Sequence, residues 1–170
     1  MSRTRCLTWL FSSSVLVVVA DRLTKLWVSQ HIPLGGAIPV LPRILRITHW
    51  TNEGAAFSMF ADSASPHAVR WGLVAFSAIA ALVVAGLLVR VGRSLSCTTV
   101  GLALILGGAL GNLWDRVAYG SVIDFIEVHI FTYHWPDFNV ADSAIVTGAC
   151  LLMLETLLPE KKAPATDEAA

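Results

Sequence analysis

The chain has 170 residues, 55% of them hydrophobic and only 14% charged, with a mean hydropathy of +0.67. A soluble domain of this length carries far more surface charge, so the composition describes an integral membrane protein. Net charge is zero, which leaves no basic face for nucleic acid, and the length suits a single membrane-embedded domain over residues 1–170.

Four segments are long and apolar enough to cross the roughly 30 Å hydrocarbon core as helices, which takes about 20 residues each. The first, 7–28, follows Arg3 and Arg5 and is interrupted by Asp21, Arg22 and Lys25. Its basic start and apolar run have the form of a signal peptide, but three further apolar segments favour a retained helix. The connection 29–67 carries the turn signals Pro33, Gly35-Gly36, Pro39 and Pro42. Within it, residues 44–50 are β-branched and aromatic, predicting a strand paired with 54–60. The second helix, 68–89, ends at Arg90 and Arg93, and the third spans 98–117. The connection 118–138 holds Asp124 and the aromatic group Phe131, Tyr133, His134 and Trp135, which suits a membrane interface. The fourth helix, 139–158, carries Glu155; Lys161 and Lys162 follow it in a polar tail, 159–170. Four spans put Arg3 and Arg5, Arg90 and Arg93, and the two lysines on one side, with Arg43, Arg46 and Arg70 opposite. The positive-inside rule makes the first side cytoplasmic, along with both termini. Cys6, Cys97 and Cys150 are far apart and lack ligand spacing, so they are expected to be packing or loop residues.

On this topology the unusual polar residues gather near one membrane surface. They are Asp21, Lys25, Asn52, Asn112, Arg116, Asp124, Asn139 and Asp142. Several have plain structural accounts. Asp21 and Lys25, four apart on one helix, neutralise each other. Arg116, four residues beyond Asn112, reaches the headgroups. Asn139-x-x-Asp142 is close to a capping box. Gly107-x-x-x-Gly111 lets helices approach closely in lipid. His129 and His134 are five apart, with Asp137 beyond and no H-E-x-x-H arrangement, so neither a metal nor a cofactor is expected. Lys25 and Ser29 have the spacing of a Ser–Lys hydrolase, but Asp21 is the nearer partner of Lys25.

Asp124 and Asp142 are different. Each lies in apolar company, in Val122-Ile123-Asp124-Phe125-Ile126 and Phe138-Asn139-Val140-Ala141-Asp142, at the edge of hydrocarbon where a carboxylate is costly. Two carboxylates that meet when helices pack cannot both ionise cheaply, so one keeps a proton near neutral pH. Such a pair performs acid–base hydrolysis without a metal or a nucleophilic side chain. Two other classes remain open on the residues alone. One is a proton-coupled transporter with Asp21, Asp124 and Asp142 as a relay; the other is an assembly subunit bound through Gly107 and Gly111.

Five blocks then carry a resemblance. They are Asp21-Arg22-Leu23-Thr24-Lys25, Thr51-Asn52-Glu53-Gly54-Ala55-Ala56-Phe57, Gly107-Gly108-Ala109-Leu110-Gly111-Asn112-Leu113-Trp114-Asp115-Arg116, Val122-Ile123-Asp124-Phe125 and Phe138-Asn139-Val140-Ala141-Asp142. Together, in this order over roughly residues 20–145, they resemble the lipoprotein signal peptidases, the type II signal peptidases of bacteria. The resemblance implies a mainly α membrane protein with four transmembrane helices and a small extracytoplasmic β-cradle. It also implies an aspartyl endopeptidase of the inner membrane with both termini cytoplasmic. Such an enzyme cuts a prolipoprotein on the N-terminal side of its diacylglyceryl-modified cysteine and touches membrane lipid; no cofactor or metal is expected, and the bundle could serve as a monomer, with oligomeric state left open. By motif, Asp124 and Asp142 form the catalytic dyad. Asn52, Gly54, Gly108, Asn112, Arg116, Asn139 and Ala141 line or brace the site, and Asp21 and Lys25 support it. Arg22 departs from the Gln expected beside the first aspartate, and the D-T-G motif of soluble aspartic proteases is absent.

Overall fold

The computed structural model describes residues 1–54 and 66–157. Four helices are long and apolar enough to cross a membrane: α1 (Arg3–His31), α2 (Pro66–Val91), α3 (Cys97–Ala118) and α4 (Val140–Leu157). Four strands, β1 (Ala37–Leu41), β2 (Leu45–Asn52), β3 (Val122–Ile130) and β4 (Tyr133–Phe138), form one antiparallel sheet in the order β1-β2-β3-β4.

Local chemistry sets the helix ends. Ser2 caps α1 by accepting from the Arg5 N–H, and α1 stops just before Pro33, which has no N–H to continue it. Proline opens α2, where its missing N–H costs nothing. Ser96 and Thr99 form a reciprocal capping box at the start of α3. Glu155, the acid of α4 that hydropathy alone leaves unexplained, accepts from the Thr98 N–H in the first turn of α3. A carboxylate there satisfies a free helix donor and meets the positive end of the helix dipole. At the same end of the bundle, Arg3 donates to the Val89 carbonyl in the last turn of α2 (2.8 Å).

The central helix is α3, which packs against α1, α2 and α4. Small residues permit this. A Cβ on Gly107 would meet the Ser14 carbonyl of α1 at 2.7 Å, and one on Gly101 would meet the Gly148 carbonyl of α4 at 2.7 Å. Gly108 faces the Ala141 carbonyl of α4 more tightly still. Adjacent glycines thus serve different neighbours, which is the close-packing role expected of G-x-x-x-G. By contrast, α2 leaves Phe76, Ile79, Leu82 and Val83 more than half exposed. A patch of that kind is unsustainable in water and matches a helix facing lipid.

The sheet rests on one end of the bundle. Val28 and Ile32 at the end of α1 pack with Phe125 of β3, flanked by Ile47, Ile123, Ile126 and Val140. Because α3 ends and α4 begins at this same end, β3 and β4 leave the bundle and return to it as a hairpin.

Several expectations need correction. Helix α1 runs beyond both ends of 7–28 and α2 beyond both ends of 68–89, while α3 lies within one residue of 98–117 and α4 begins one residue after 139. The connection 118–138 is a β-hairpin, and Asp124 lies on a strand. The predicted strand at 44–50 is present as β2, but its partners are β1 and β3. Of the expected partner segment 54–60, residues 55–60 lie outside the described residues, as do Leu158, Lys161, Lys162 and the rest of the tail. Arg70, counted with the loop charges, belongs to the start of α2.

Candidate active site

The site is built where the C-terminal half of α3, the first turn of α4, and the ends of β2 and β3 meet. Val140 begins α4, so Asn139 stands at its N-cap and Asp142 three residues on. Their bonds are reciprocal. Asn139 Oδ1 accepts from the Asp142 N–H (2.9 Å), and Asp142 Oδ2 accepts from the Asn139 N–H (3.3 Å). The capping box read from the sequence is therefore real.

Capping uses only half of the Asn139 side chain. Its Nδ2 donates to Asp124 Oδ1 at 2.7 Å. One fully buried asparagine thus binds both carboxylates, its backbone and carbonyl holding Asp142 while its amide nitrogen holds Asp124. Asn112 Nδ2 donates to Asp142 Oδ1 (2.7 Å), and Asn52 Nδ2 donates to Asp124 Oδ2 (3.1 Å). Asn52 lies at the end of β2, and its Oδ1 accepts from the Gly54 N–H (2.9 Å). The Gly54 carbonyl in turn accepts from Arg116 Nη2 (3.3 Å), whose charge acts on Asp142, Asp124 and Asp115. Every carboxylate oxygen of the pair is held by an uncharged donor.

Asp124 is only 6% exposed. Burial, and after it the negative charge of Asp142, push its carboxyl up to about 6, against the opposing pull of the Asn52 and Asn139 bonds. Asp124 therefore keeps its proton to a pH closer to neutral than an ordinary aspartate does.

Beneath the pair lies a second polar layer. Lys25 is fully buried on α1, and its ammonium reaches Asp21 Oδ2 (2.7 Å), Asp115 Oδ2 (2.7 Å) and Asn112 Oδ1 (3.3 Å). The contacts to Asp21 and Asn112 are hydrogen bonds, and that to Asp115 is an ion pair. Asp21 Oδ1 accepts from the Ala141 N–H (2.9 Å), so an acid of α1 satisfies a free donor at the N-terminus of α4. This contact needs Gly111, where a Cβ would lie 3.0 Å from Asp21 Oδ2 and 3.3 Å from the Ala141 methyl. Arg22 completes the layer by pairing with Asp115 Oδ1 (2.7 Å) and donating to the Tyr119 hydroxyl (3.0 Å). Two acids and two bases make the layer neutral, as buried charge requires.

All eleven residues picked from the sequence fall in this one network. Asp124, Asp142, Asn52, Asn112 and Asn139 form its upper part, with Gly54 and Arg116 at the rim. Asp21 and Lys25 lie beneath, and Gly108 and Ala141 are the contact that seats α4 against α3. Sequence reasoning gave no role to Asp115, although a signal was present: 108, 111, 112 and 115 share one face of a helix. Arg70 was also missed. It donates from Nε to the Arg116 carbonyl and from Nη2 to the Val117 carbonyl, each at 3.0 Å, closing the C-terminus of α3.

Known proteins resemble this chain in sequence and in fold. The family model described as signal peptidase (SPase) II matches residues 13–158. The lipoprotein signal peptidase of Paraburkholderia phytofirmans is 47% identical over 145 residues, covering 85% of this chain and 81% of that protein. That of Pseudomonas putida is 44% identical over 159 residues, covering 91% and 90%. That of Acinetobacter baumannii is 41% identical over 169 residues, covering 96% and 90%. Among solved structures, a bacterial membrane enzyme determined by the in meso method at 2.3 Å superposes with a TM-score of 0.79 at 27% identity, covering 96% of this chain and 94% of that one. A second, at 1.9 Å, gives 0.77 at 29% identity, covering 92% and 95%. With the match running from α1 to the end of α4 and the relatives alike over nearly their whole length, the chain belongs to the signal peptidase II family.

Proposed function

We propose that this protein is an aspartyl endopeptidase that removes the signal peptide from diacylglyceryl-modified prolipoproteins, cutting on the N-terminal side of the lipid-modified cysteine. The observation that carries the reading is the placement of Asp124 and Asp142 on one asparagine, Asn139, at the junction of helix ends and sheet. The ionised carboxylate takes a proton from water as its oxygen attacks the peptide carbonyl carbon. The protonated partner donates to the carbonyl oxygen. Collapse of the tetrahedral intermediate expels the amine, which leaves with a proton from the pair, and the dyad is restored. The pair titrates as a unit, so neither residue has a fixed role.

The depth of the site supports the substrate class. A diacylglyceryl cysteine anchors its scissile bond at a leaflet surface while the signal helix lies in the bilayer. A dyad at the ends of α3 and α4 meets that bond without drawing it into water. In the orientation set by Arg3, Arg5, Arg90 and Arg93, that surface is extracytoplasmic, the enzyme sits in the inner membrane, and a monomer suffices. A proton relay through Asp21 is disfavoured because both of its oxygens are engaged, by Lys25 and by the α4 backbone.

The test is cleavage of a diacylglyceryl-modified prolipoprotein in detergent micelles by wild type, Asp124→Asn and Asp142→Asn, without any ion gradient. Wild type should cut before the modified cysteine, and each folded variant should lose at least about a hundredfold in rate. An unlipidated precursor should be a far poorer substrate. Retention of most activity by either variant would make the pair structural.

A further inference from the structure

A second cluster of ligating side chains lies on the sheet, outside the dyad and its supporting layer. Alternate residues of a strand share a face, so Glu127 and His129 of β3 point the same way. His134 of β4 is the direct cross-strand partner of His129, and Arg46 of β2 is that of Glu127. Sequence spacing hides this, because a hairpin brings residues together without the helical i, i+4 signature of the familiar zinc motifs.

The geometry is that of a partly assembled ligand set. Glu127 Oε1 lies 2.9 Å from His129 Nε2 and 3.5 Å from His134 Nδ1, and one ligand atom from each of the three falls within 4.8 Å of the others. Around a tetrahedral Zn²⁺ with ligand bonds of about 2.0–2.1 Å, ligand atoms stand about 3.3 Å apart, between the 2.9 Å and 3.5 Å separations found here. The side chains of Glu127 and His129 are 8% and 17% exposed, while that of His134 is 63% exposed. Two ligands are therefore fixed, and the third is free to turn inward. Arg46 Nε holds Glu127 Oε2 at 2.6 Å and, with its other bond to Oε1, keeps the carboxyl below the usual range. Such an outer hydrogen bond orients a ligating carboxylate.

We propose that Glu127 Oε1, His129 Nε2 and His134 Nδ1 bind a Zn²⁺ ion on the β3–β4 hairpin, with water in the fourth position. Two neutral imidazoles and a carboxylate suit this borderline ion better than Mg²⁺ or Ca²⁺, which take oxygen ligands. On binding, Arg46 gives up its bond to Oε1 and keeps the one to Oε2. The ion ties β3 to β4 about 10 Å along the strand from Asp124. It takes no part in the proposed hydrolysis, so the two readings stand or fall separately.

The test uses full-length protein in detergent, stripped with a chelator and free of any polyhistidine tag. Zn²⁺ is titrated calorimetrically at neutral pH into wild type, His134→Ala, His129→Ala and, as a control elsewhere, His67→Ala. Wild type and His67→Ala should take up one equivalent at the same affinity. His134→Ala and His129→Ala should bind at least about tenfold more weakly. Thermal unfolding gives a second readout, since Zn²⁺ should raise the Tm of wild type but not of His134→Ala. The exposed His134 can be replaced without disturbing the core, so loss of folding does not blur the result. No uptake by wild type, or undiminished uptake by His134→Ala, overturns the proposal.

Discussion

At the scale of single residues, the chemistry of the site turns on what surrounds Asp124. In an unfolded chain its carboxyl releases a proton near 3.8; in the folded protein burial and Asp142 push it to about 6. Between these values the folded state binds the extra proton. The corresponding stability is therefore complete below about 3.8 and is lost as pH rises through about 6. The gap is equivalent to about 3 kcal/mol. Asp124→Asn has no proton to lose, so its stability relative to wild type should improve by up to about 3 kcal/mol between pH 4 and 7, while activity is abolished. Unfolding of both proteins in the same detergent across that range measures it; a constant difference would show that Asp124 is not strained in its charged form. That Asp124 and Asp142 stand out was legible because acids in apolar sequence are rare and costly, and the structure holds both on Asn139. The role of Asn139 was only half legible. Its spacing to Asp142 announces a cap, but nothing in the sequence says that its amide nitrogen reaches Asp124 on a strand. Asp115 was passed over although its helical phase matches Asn112. Lys25 had already been given a local partner in Asp21, and its long-range partner shows only once α1 and α3 pack.

At the scale of elements, legibility divides by the kind of physics involved. The four spans are visible because hydrocarbon imposes a length and a composition on every helix that crosses it. The β3–β4 hairpin is not, because its turn residue Phe131 adopts φ 56° without the Gly or Asn that usually marks such a position. The same holds at Arg43, φ 66°, between β1 and β2. Close helix approach lies between these cases: G-x-x-x-G is readable, but which neighbour each glycine faces is not. The structure separates them sharply, and a paired substitution tests the assignment. Gly108→Ala places a methyl on the Ala141 carbonyl and against Ile145, so α3 and α4 must part at the point where the dyad is assembled. It should destabilise the protein by about 1–3 kcal/mol and lower peptidase activity. Gly86→Ala on α2 meets nothing within 4 Å. It should leave activity intact and keep or raise the Tm, since alanine is the better helix former. Thermal unfolding of the two variants side by side decides it, and equal losses would refute the packing account.

At the scale of the whole molecule, the two ends of the bundle are chemically unlike. One end carries Arg3, Arg5, Arg90 and Arg93 and is tied by polar contacts to helix termini, Arg3 to the end of α2 and Glu155 to the start of α3. The other carries the sheet, the dyad and the neutral four-charge layer. A substrate held in a leaflet by its lipid can reach such a site from one side of the membrane only, so orientation decides whether the proposed reaction is possible at all. The orientation proposed from the arginine bias has the sheet outside the cytoplasm, and labelling tests it. In a variant without Cys6, Cys97 and Cys150, a cysteine at Phe131, which is fully exposed at the hairpin tip, should react with a membrane-impermeant maleimide added to spheroplasts. A cysteine at Ser94, in the α2–α3 turn, should react only after the membrane is opened. The reverse pattern would place the dyad on the cytoplasmic surface, beyond the reach of a lipid-anchored precursor whose cleavage site has crossed the membrane. Equal labelling of both positions would mean mixed insertion, in which the four arginines are too weak a signal to set the topology.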